Sequence, residues 1–415
     1  MKRLLALLLG LSLSLGAAAE VRLRVFVGGS NQRPDLMRAL FDRYLADKPG
    51  LKIDIETGGA TSDLQRQYLS TVLNARDDAL DAFLIDIVNP AQYFQAGWLE
   101  PLDAHLGPAD QLLAPYLAVY REANVVQGRV AALPAFADAL FMYYRRDLLD
   151  KHGLPQPRTW EELGRVARQV QQAEGNPKLQ GLSLQGAPVE GAVCTFLLPY
   201  WSQGKAVQDA QGRSVFDAAA AARGLQQWVT LMDQGVIKRN VAEVKTPDTV
   251  NEFKAGKVLF ALNWSWAWDR FEQDADSQVR GKVGVMPLPA MTGGQSATCT
   301  GGWQWAVSAF SRHKAEAARL VQFLSTPEAS RFLAVRGALL PTYAELYTHP
   351  EVVAQVPWFA DAAAVVRHAR SRPVSARYGE VSDALRSATN AVLARSRQPA
   401  DAAADVESRL RRVMR

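Results

Sequence analysis

Three strand-like segments separated by amphipathic helical patterns open the chain, and they constrain its fold more than any other feature. Apolar residues alternate over 21–27, and further apolar runs occupy 51–55 and 82–88. The apolar stripes of the two intervening helices are Leu36, Leu40, Phe41, Tyr44 and Leu45, followed by Leu64, Tyr68, Val72 and Leu73. Strands and helices that alternate in this way predict a mostly parallel sheet covered by helices, an α/β fold.

The second half of the chain shows the same mixture of helical and strand-like patterns. A capping box at 159–162 starts a helix, a long helical pattern covers 217–234, and a strand-like run covers 258–262. The segment 134–138 joins two extended stretches and is a candidate crossing between domains. Because 415 residues are too many for one small core and no low-complexity linker divides them, we expect two α/β lobes that share several crossings.

Polar turns follow the three predicted N-terminal strands. They carry Gly28 to Gln32, Gly58 to Thr61, and Asp86 with Asn89. In open α/β sheets, ligands gather at the carboxyl ends of the strands. Small, polar and acidic residues at these ends favour a ligand rich in hydroxyl groups.

Two tryptophan clusters lie in the second half of the chain. Trp264, Trp266 and Trp268 fall on a predicted strand-to-helix turn, and a second cluster begins Gly301-Gly302-Trp303. Such clusters are explained either by core packing or by a surface for sugar, on which the ring face takes the apolar face of a pyranose while nearby carboxylates accept its hydroxyls. These residues alone leave both explanations open.

The N-terminus has the pattern of a secretory signal peptide. A basic start, Met1 to Arg3, precedes an apolar run over 4–15 and the small residues Ala17 to Ala19. We therefore expect residues 1–19 to be removed and the mature protein to begin at Glu20. No other uncharged apolar run approaches the ~18 residues of a membrane span, so we expect a soluble exported product.

The sequence lacks the usual signature motifs of several functional classes. The sequence has no nucleotide-binding glycine loop, no HExxH and no GxSxG. Its 5 histidines are scattered, so we expect no metal site and no cofactor. A net charge of +5 is too balanced to indicate nucleic acid. One enzyme class stays open, because a glycoside hydrolase needs only two carboxylates that face a sugar, and Asp86 and Asp138 could be that pair.

Two further features have alternative explanations. Arg372 beside Pro373 is either part of a solvated basic loop or an arginine held to bind hydroxyls or a carboxylate. The two cysteines, Cys194 and Cys299, are either buried thiols or a disulfide, which an exported protein can form.

From residue 21 to the C-terminus, the chain resembles the extracellular solute-binding proteins of carbohydrate ABC importers, the group that includes maltose- and trehalose/maltose-binding proteins. Together the matching segments are specific, although none would be so alone. They are Asp81–Asp86, Gln95–Leu102, Leu140–Leu149, Gly256-Lys257 ahead of Asn263-Trp264, Gly301–Trp303 and Arg372-Pro373.

The resemblance implies a two-lobe periplasmic binding protein fold of type II, with a ligand cleft between the lobes and three hinge crossings. It puts the crossings near Phe136–Ala139, Met286–Ala290 and Leu340–Tyr343. The implied boundaries are 1–19 for the signal peptide, 20–136 and 288–340 for the first lobe, and 137–287 and 341–415 for the second.

The resemblance also implies which residues contact the ligand. They are Asp86, Phe136, Asp138, Trp264, Trp266, Gly302, Trp303 and Arg372, and Trp303 is expected to be the main stacking platform. Phe136 and Trp266 depart from the family pattern, because relatives often have tyrosine at these positions. The resemblance places Cys194 and Cys299 near the cleft, which favours a disulfide between them.

By resemblance, the protein is a monomeric periplasmic component of an ABC importer and not an enzyme. It is expected to close around an α-glucoside, maltose or trehalose and possibly maltooligosaccharides, and to deliver it to permease subunits in the inner membrane. A different sugar or a polyol phosphate is the alternative within this fold, and a secreted glycoside hydrolase is the alternative from another class.

Overall fold

A computed structural model describes residues 20–176 and 178–415, so the predicted signal peptide at 1–19 lies outside the described residues. The strands are β1 (Val21–Phe26), β2 (Leu51–Glu56), β3 (Ala82–Asp86), β4 (Val125–Val126), β5 (Arg129–Val130), β6 (Leu133–Arg145), β7 (Gln180–Ser183), β8 (Val258–Trp264), β9 (Val283–Met286), β10 (Thr298–Val307) and β11 (Ala369–Arg370).

Helices account for most of the remaining structure. They are α1 (Pro34–Leu45), α2 (Ser62–Asn74), α3 (Pro90–Gln95), α4 (Asp103–Leu106), α5 (Ala109–Leu113), α6 (Ala118–Asn124), α7 (Arg146–Lys151), α8 (Trp160–Glu174), α9 (Glu190–Trp201), α10 (Ala218–Asp233), α11 (Thr246–Lys254), α12 (Ala267–Gln273), α13 (Lys314–Leu324), α14 (Pro327–Gly337), α15 (Pro350–Gln355), α16 (Phe359–Val366), α17 (Tyr378–Leu393) and α18 (Pro399–Val413). Within the described ranges, none of these helices is long and apolar enough to cross a membrane.

Side-chain caps start several of the helices. Thr61, Thr159 and Asp217 each accept a hydrogen bond from the backbone NH three residues further on, which satisfies one of the free NH groups of the first turn. The helix start predicted at 159–162 is confirmed for the Thr159 cap, but the Glu162 side chain accepts from Arg158 N, one residue before the cap, rather than from the NH of Thr159 as a capping box requires.

The buried face of α2 differs from the predicted one. Leu64 and Tyr68 are 50% and 36% exposed, whereas Gln65 and Leu69 are 3% and 2% exposed. The Gln65 amide faces inward, where it donates to Gln32 Oε1 at 3.0 Å and to Gly59 O at 2.8 Å. A tertiary hydrogen bond therefore decides which side of this helix faces inward.

The sheet is parallel at both ends and antiparallel in the middle. Its strand order is β2-β1-β3-β10-β6-β8-β7, with β9 paired to β6 and β11 to β10. The pairs of β1 with β2, β1 with β3, and β7 with β8 are parallel, as the alternation of strands and helices predicts. The pairs of β10 with β3, β10 with β6, and β6 with β8 are antiparallel. The prediction of a mostly parallel sheet therefore holds for each end but not for the centre.

Two large hydrophobic cores define the two lobes. The first lobe is built on a core that includes Leu23, Phe41 and Trp305. The second lobe is built on a core that includes Trp160 and Trp228. The predicted α/β fold with two lobes is confirmed.

The chain passes from one core to the other within its central strands. On β6, Phe136 belongs to the first core and Ala137 to the second. On β10, Cys299 belongs to the second core and Trp303 to the first. Leu288 packs in the second core, so the second crossing lies further along the chain than the expected Met286–Ala290.

A third segment runs beside these two strands. Ala137 pairs with Gly302 of β10 on one side, and its NH donates to Leu340 O at 2.8 Å on the other. Three crossings therefore lie side by side, and they form a narrow hinge between the lobes.

A disulfide joins Cys194 on α9 to Cys299 on β10, and the two Cα atoms are 5.8 Å apart. This separation lies in the usual range for disulfides. The bond attaches a buried helix of the second lobe to the strand that runs through the hinge.

Replacing both cysteines with alanine should lower the free energy of unfolding by about 2–5 kcal/mol, because the link removes conformational freedom from the unfolded chain. The closed loop is long, since the cysteines are 105 residues apart in sequence. Urea denaturation with and without a thiol reductant measures the effect, and the reduced parent should approach the double variant. Equal midpoints for the oxidised parent and the double variant would contradict the prediction.

Candidate functional site

The candidate site is a cleft between the lobes at the carboxyl ends of β1, β2 and β3. The turns after β1 and β2 contribute Asn31, Gln32 and Thr61, and β3 contributes its last residue, Asp86, as expected from the strand order. The other lining residues are Ala60, Ser62, Asp63 and Gln65 from the first lobe, Asp138, Gly301, Gly302 and Trp303 from the hinge strands, and Val189, Glu190, Gly191, Thr246, Trp264, Trp266 and Arg372.

The first tryptophan cluster lies on the strand-to-helix turn between β8 and α12, where the sequence predicts it. Trp264 and Trp266 line the cleft. Trp268 instead stacks on Trp358, with ring centroids 5.0 Å apart. Trp268 therefore contributes to packing, whereas Trp264 and Trp266 are available to a ligand.

Two glycines allow the backbone of β10 to lie close to its neighbours. A Cβ atom on Gly301 would come within 2.6 Å of the Trp264 ring. Gly302 has φ of +126°, a conformation that residues with a Cβ rarely adopt, and a Cβ there would lie 2.8 Å from Phe136 O. Larger residues would displace Trp264 or the hinge strand.

Trp303 and Phe136 are more deeply placed than expected. Trp303 lines the cleft but is only 9% exposed, and it lies between Asp86 of β3 and Phe136 of β6. The expectation that Phe136 contacts the ligand does not fit its position, because the ring is 1% exposed, packs in the first core and is not part of the cleft lining. A phenyl ring has no polar group that needs solvent, and its burial stabilises by about 1.5–3 kcal/mol.

One carboxylate oxygen of Asp138 accepts hydrogen bonds from three protein donors. Its Oδ1 accepts from Ser265 N at 2.8 Å, Ser265 Oγ at 2.6 Å and Ala139 N at 2.8 Å. In the described chain, Oδ2 has no such donor. Burial raises the pKa of Asp138 to about 7, although the Ser265 and Ala139 donors oppose the shift, and Asp86 adds to it. Near neutral pH, this carboxyl therefore changes between donor and acceptor.

Arg372 is a buried ion-pair partner rather than part of a solvated loop. Its guanidinium donates to Asp86 Oδ1 at 2.7 Å and to Glu190 Oε1 at 2.8 Å. Burial opposes the charge, but the two carboxylates outweigh it and raise the pKa of Arg372 above its usual value. The guanidinium carbon also lies 5.8 Å from the centre of the Trp264 ring, which is within cation–π range.

Glu190 is a site residue that the sequence interpretation missed. It begins α9 and is surrounded by donors, because the Tyr378 hydroxyl bonds to Oε1 and Ser382 Oγ donates to Oε2 at 2.7 Å. Burial would raise the pKa of Glu190, but Arg372 and Arg66 lower it below its usual value. The available signal was a single carboxylate at the start of an otherwise almost wholly apolar helix.

Polar contacts cross the mouth of the cleft. Asp63 on α2 accepts from Glu190 N at 2.6 Å and pairs with Arg386 on α17. Arg33 pairs with Asp269 at 3.2 Å. The free volume of the cleft in this form is about 70 Å³, small beside the roughly 300–1,000 Å³ of ordinary ligand pockets. The contacts between the lobes therefore narrow the cleft.

No group of three or more histidine, cysteine or acidic side chains in the described ranges is arranged to hold a metal ion. The polar groups of the cleft are amides, hydroxyls, carboxylates and one arginine that is already paired. Combined with indole rings, this set suits neutral polar ligands rather than free ions.

The chain is similar to known transport proteins. A family model described as bacterial extracellular solute-binding protein matches residues 28–331. A probable ABC transporter-binding protein of Deinococcus radiodurans is 32% identical and aligns over 98% of both chains. A mannitol-binding protein of Pseudomonas aeruginosa is 25% identical over 68% of this chain and 66% of its own. The structure of maltose-bound T. maritima MalE3 superposes with a TM-score of 0.87 at 32% identity, and the match covers 94% of this chain and 99% of that one.

Asp138→Asn should change how stability depends on pH. The folded-state pKa of about 7 lies above the ordinary aspartate pKa of about 3.9, so the protonated carboxyl stabilises the fold at low pH, and this contribution is lost as the pH rises towards the folded-state value. Asparagine resembles the protonated form. Between about pH 5 and 7, the free energy of unfolding of the parent should fall relative to the variant by about 1.4 kcal/mol per pH unit. Urea denaturation across this range tests it, and a constant difference would contradict the prediction.

Proposed function

Because the chain belongs to the bacterial extracellular solute-binding protein family, we propose that it captures an α-glucoside disaccharide, maltose or trehalose, and delivers it to the permease of an ABC importer. Members of this family are substrate-binding proteins, not enzymes, and they act outside the cytoplasm. The proposal therefore concerns the identity of the ligand and the way in which it is held.

The observation that carries the proposal is the composition of the cleft. Trp264, Trp266 and Trp303 offer aromatic faces, while Asp86 and Asp138 offer carboxylates beside them. Ring faces take the apolar face of a pyranose, and carboxylates accept strong hydrogen bonds from its hydroxyls. The identity of 32% to MalE3, whose structure contains maltose, supports an α-glucoside over other sugars.

Hinge closure is the proposed mechanism. The cleft is narrow in this form, with a free volume of about 70 Å³, and ion pairs between the lobes cross its mouth. A ligand that contacts both lobes shifts the population towards a closed, loaded form. In this mechanism, Arg372 exchanges part of its pairing with Asp86 for hydroxyls of the sugar.

Polyols are a second candidate ligand class, because a relative at 25% identity is a mannitol-binding protein. A polyol phosphate is less compatible with the site. A phosphate needs unpaired cations, and the guanidinium of Arg372 already faces the two carboxylates of Asp86 and Glu190. Titration with maltose, trehalose and mannitol in parallel distinguishes the two ligand classes.

Trp266→Ala should weaken maltose or trehalose binding by about 2–4 kcal/mol, or roughly 30- to 1,000-fold, because it removes buried apolar area and a stacking face. Trp268→Ala is the matched control, since this tryptophan lies two positions away and packs on Trp358 outside the cleft. Isothermal titration calorimetry measures both.

The control should bind within about threefold of the parent. If the two variants bind equally well, Trp266 does not stack on the ligand. If neither disaccharide binds to the parent while mannitol does, the ligand is a polyol.

Asp269→Asn tests closure without touching the sugar. It removes the pair between Arg33 and Asp269, which joins the lobes and is not part of the cleft lining. Partly exposed pairs contribute up to about 1 kcal/mol, so sugar affinity should fall by about two- to fivefold. Asp35→Asn removes the pair between Arg33 and Asp35 on the same lobe and should leave the affinity unchanged. Equal affinities for both variants would exclude a contribution of this contact to closure.

A further inference from the structure

A second cavity lies between the lobes, beyond Arg372. We name it the back cavity and define it by Ile87, Val119, Trp201, Thr300, Arg370 and Arg372, which all line it. Its volume is about 410 Å³, and among the described residues only Arg372 lines both this cavity and the cleft. The two spaces therefore meet at one side chain that is already ion-paired.

Arg370 brings an unneutralised positive charge to this cavity. Within the described ranges, no carboxylate lies within ion-pair distance of it. Its protein contacts are a hydrogen bond from Nη1 to Trp201 O at 3.3 Å and a position 5.4 Å from the centre of the Trp201 ring. Desolvation is the main cause of a lowered pKa for Arg370. A half-buried cation without a counter-ion is stabilised by any anion that reaches it.

Two buried polar atoms in the wall lack hydrogen-bond partners in the described structure. They are Thr300 Oγ1 and Arg372 Nε, on residues that are 2% and 3% exposed. Buried donors without partners are costly, and a ligand with acceptor oxygens offsets that cost. These donors lie between the two lobes, whereas those of a surface arginine face open solvent.

The other charges near the cavity are exposed, already paired or part of an adjoining pocket. Glu122 is an exposed residue at the edge. Arg372 is neutralised by its two carboxylates. An adjoining surface pocket shares Trp201 and Arg370 and adds Arg367. Apolar walls, including Ile87 and Val119, leave room for a small carbon skeleton beside the charge.

We propose that the back cavity binds a small organic anion, whose carboxylate or phosphate oxygens accept from Arg370 and whose carbon skeleton lies against Trp201. Arginine suits this role, because its planar fork matches both kinds of oxyanion. The site is separate from the sugar cleft and does not depend on the identity of the sugar.

Thermal unfolding of the mature protein with sodium glucuronate, glucose or inorganic phosphate tests the proposal, with sodium chloride added to equal ionic strength. Glucuronate and glucose differ in the carboxylate, so that comparison needs no variant. Glucuronate, phosphate or both should raise the melting temperature in a saturable manner, whereas chloride should not. A rise with glucuronate alone identifies carboxylates as the ligand class, and a rise with phosphate alone identifies phosphates.

Arg370→Gln should weaken the anion roughly tenfold to a hundredfold, because it removes a charge-assisted hydrogen bond. Arg319→Gln is the matched control, since Arg319 is an exposed arginine of α13 that pairs with Glu316. Without ligand, Arg370→Gln should melt at or above the temperature of the parent, because no ion pair is lost. The proposal is wrong if neither anion stabilises the parent beyond glucose and chloride, or if the stabilisation persists in Arg370→Gln.

Discussion

One buried guanidinium joins the two lobes of this structure. Arg372 donates to Asp86 of the first lobe and to Glu190 of the second, and its side chain is 1% exposed. Removing one member of such a group leaves an uncompensated buried charge, which costs about 3–5 kcal/mol. Opening the cleft has a different effect, because water replaces the lost partner as the lobes separate. The ion pairing of Arg372 is therefore strong only in the closed arrangement of the lobes.

The hinge decides where the ligand-facing groups lie. Because β10 is antiparallel to both β3 and β6, its registers place Trp303 opposite Asp86 and Gly301 opposite Asp138. The carboxylates and the aromatic ring therefore lie on neighbouring strands of one sheet and move little relative to one another. Trp264 comes from the second lobe and can approach this group only where Gly301 has no side chain. The cleft is therefore lined partly by neighbouring strands of one sheet and partly by Trp264 of the second lobe.

Helix α9 connects the two interlobe spaces. Glu190 at its start faces the sugar cleft, and Trp201 at its end lines the back cavity. The bond between Cys194 and Cys299 fastens the middle of this helix to the hinge strand β10. A displacement of α9 would therefore change the lining of both spaces.

The amino-acid sequence alone predicted the local elements: the first three strands, the capped helix starts, and the turn that carries Trp264 and Trp266. Periodicity and capping are short-range properties, so these were predictable. The family and its two-lobe fold were also recognisable from motifs. Long-range folding, which the sequence did not reveal, brings Arg372 to Asp86 and Glu190, which are 286 and 182 residues away in sequence. It likewise turned Gln65 of α2 inward and buried Phe136. Burial and ion pairing depend on which distant residues come together, and local patterns carry no information about that.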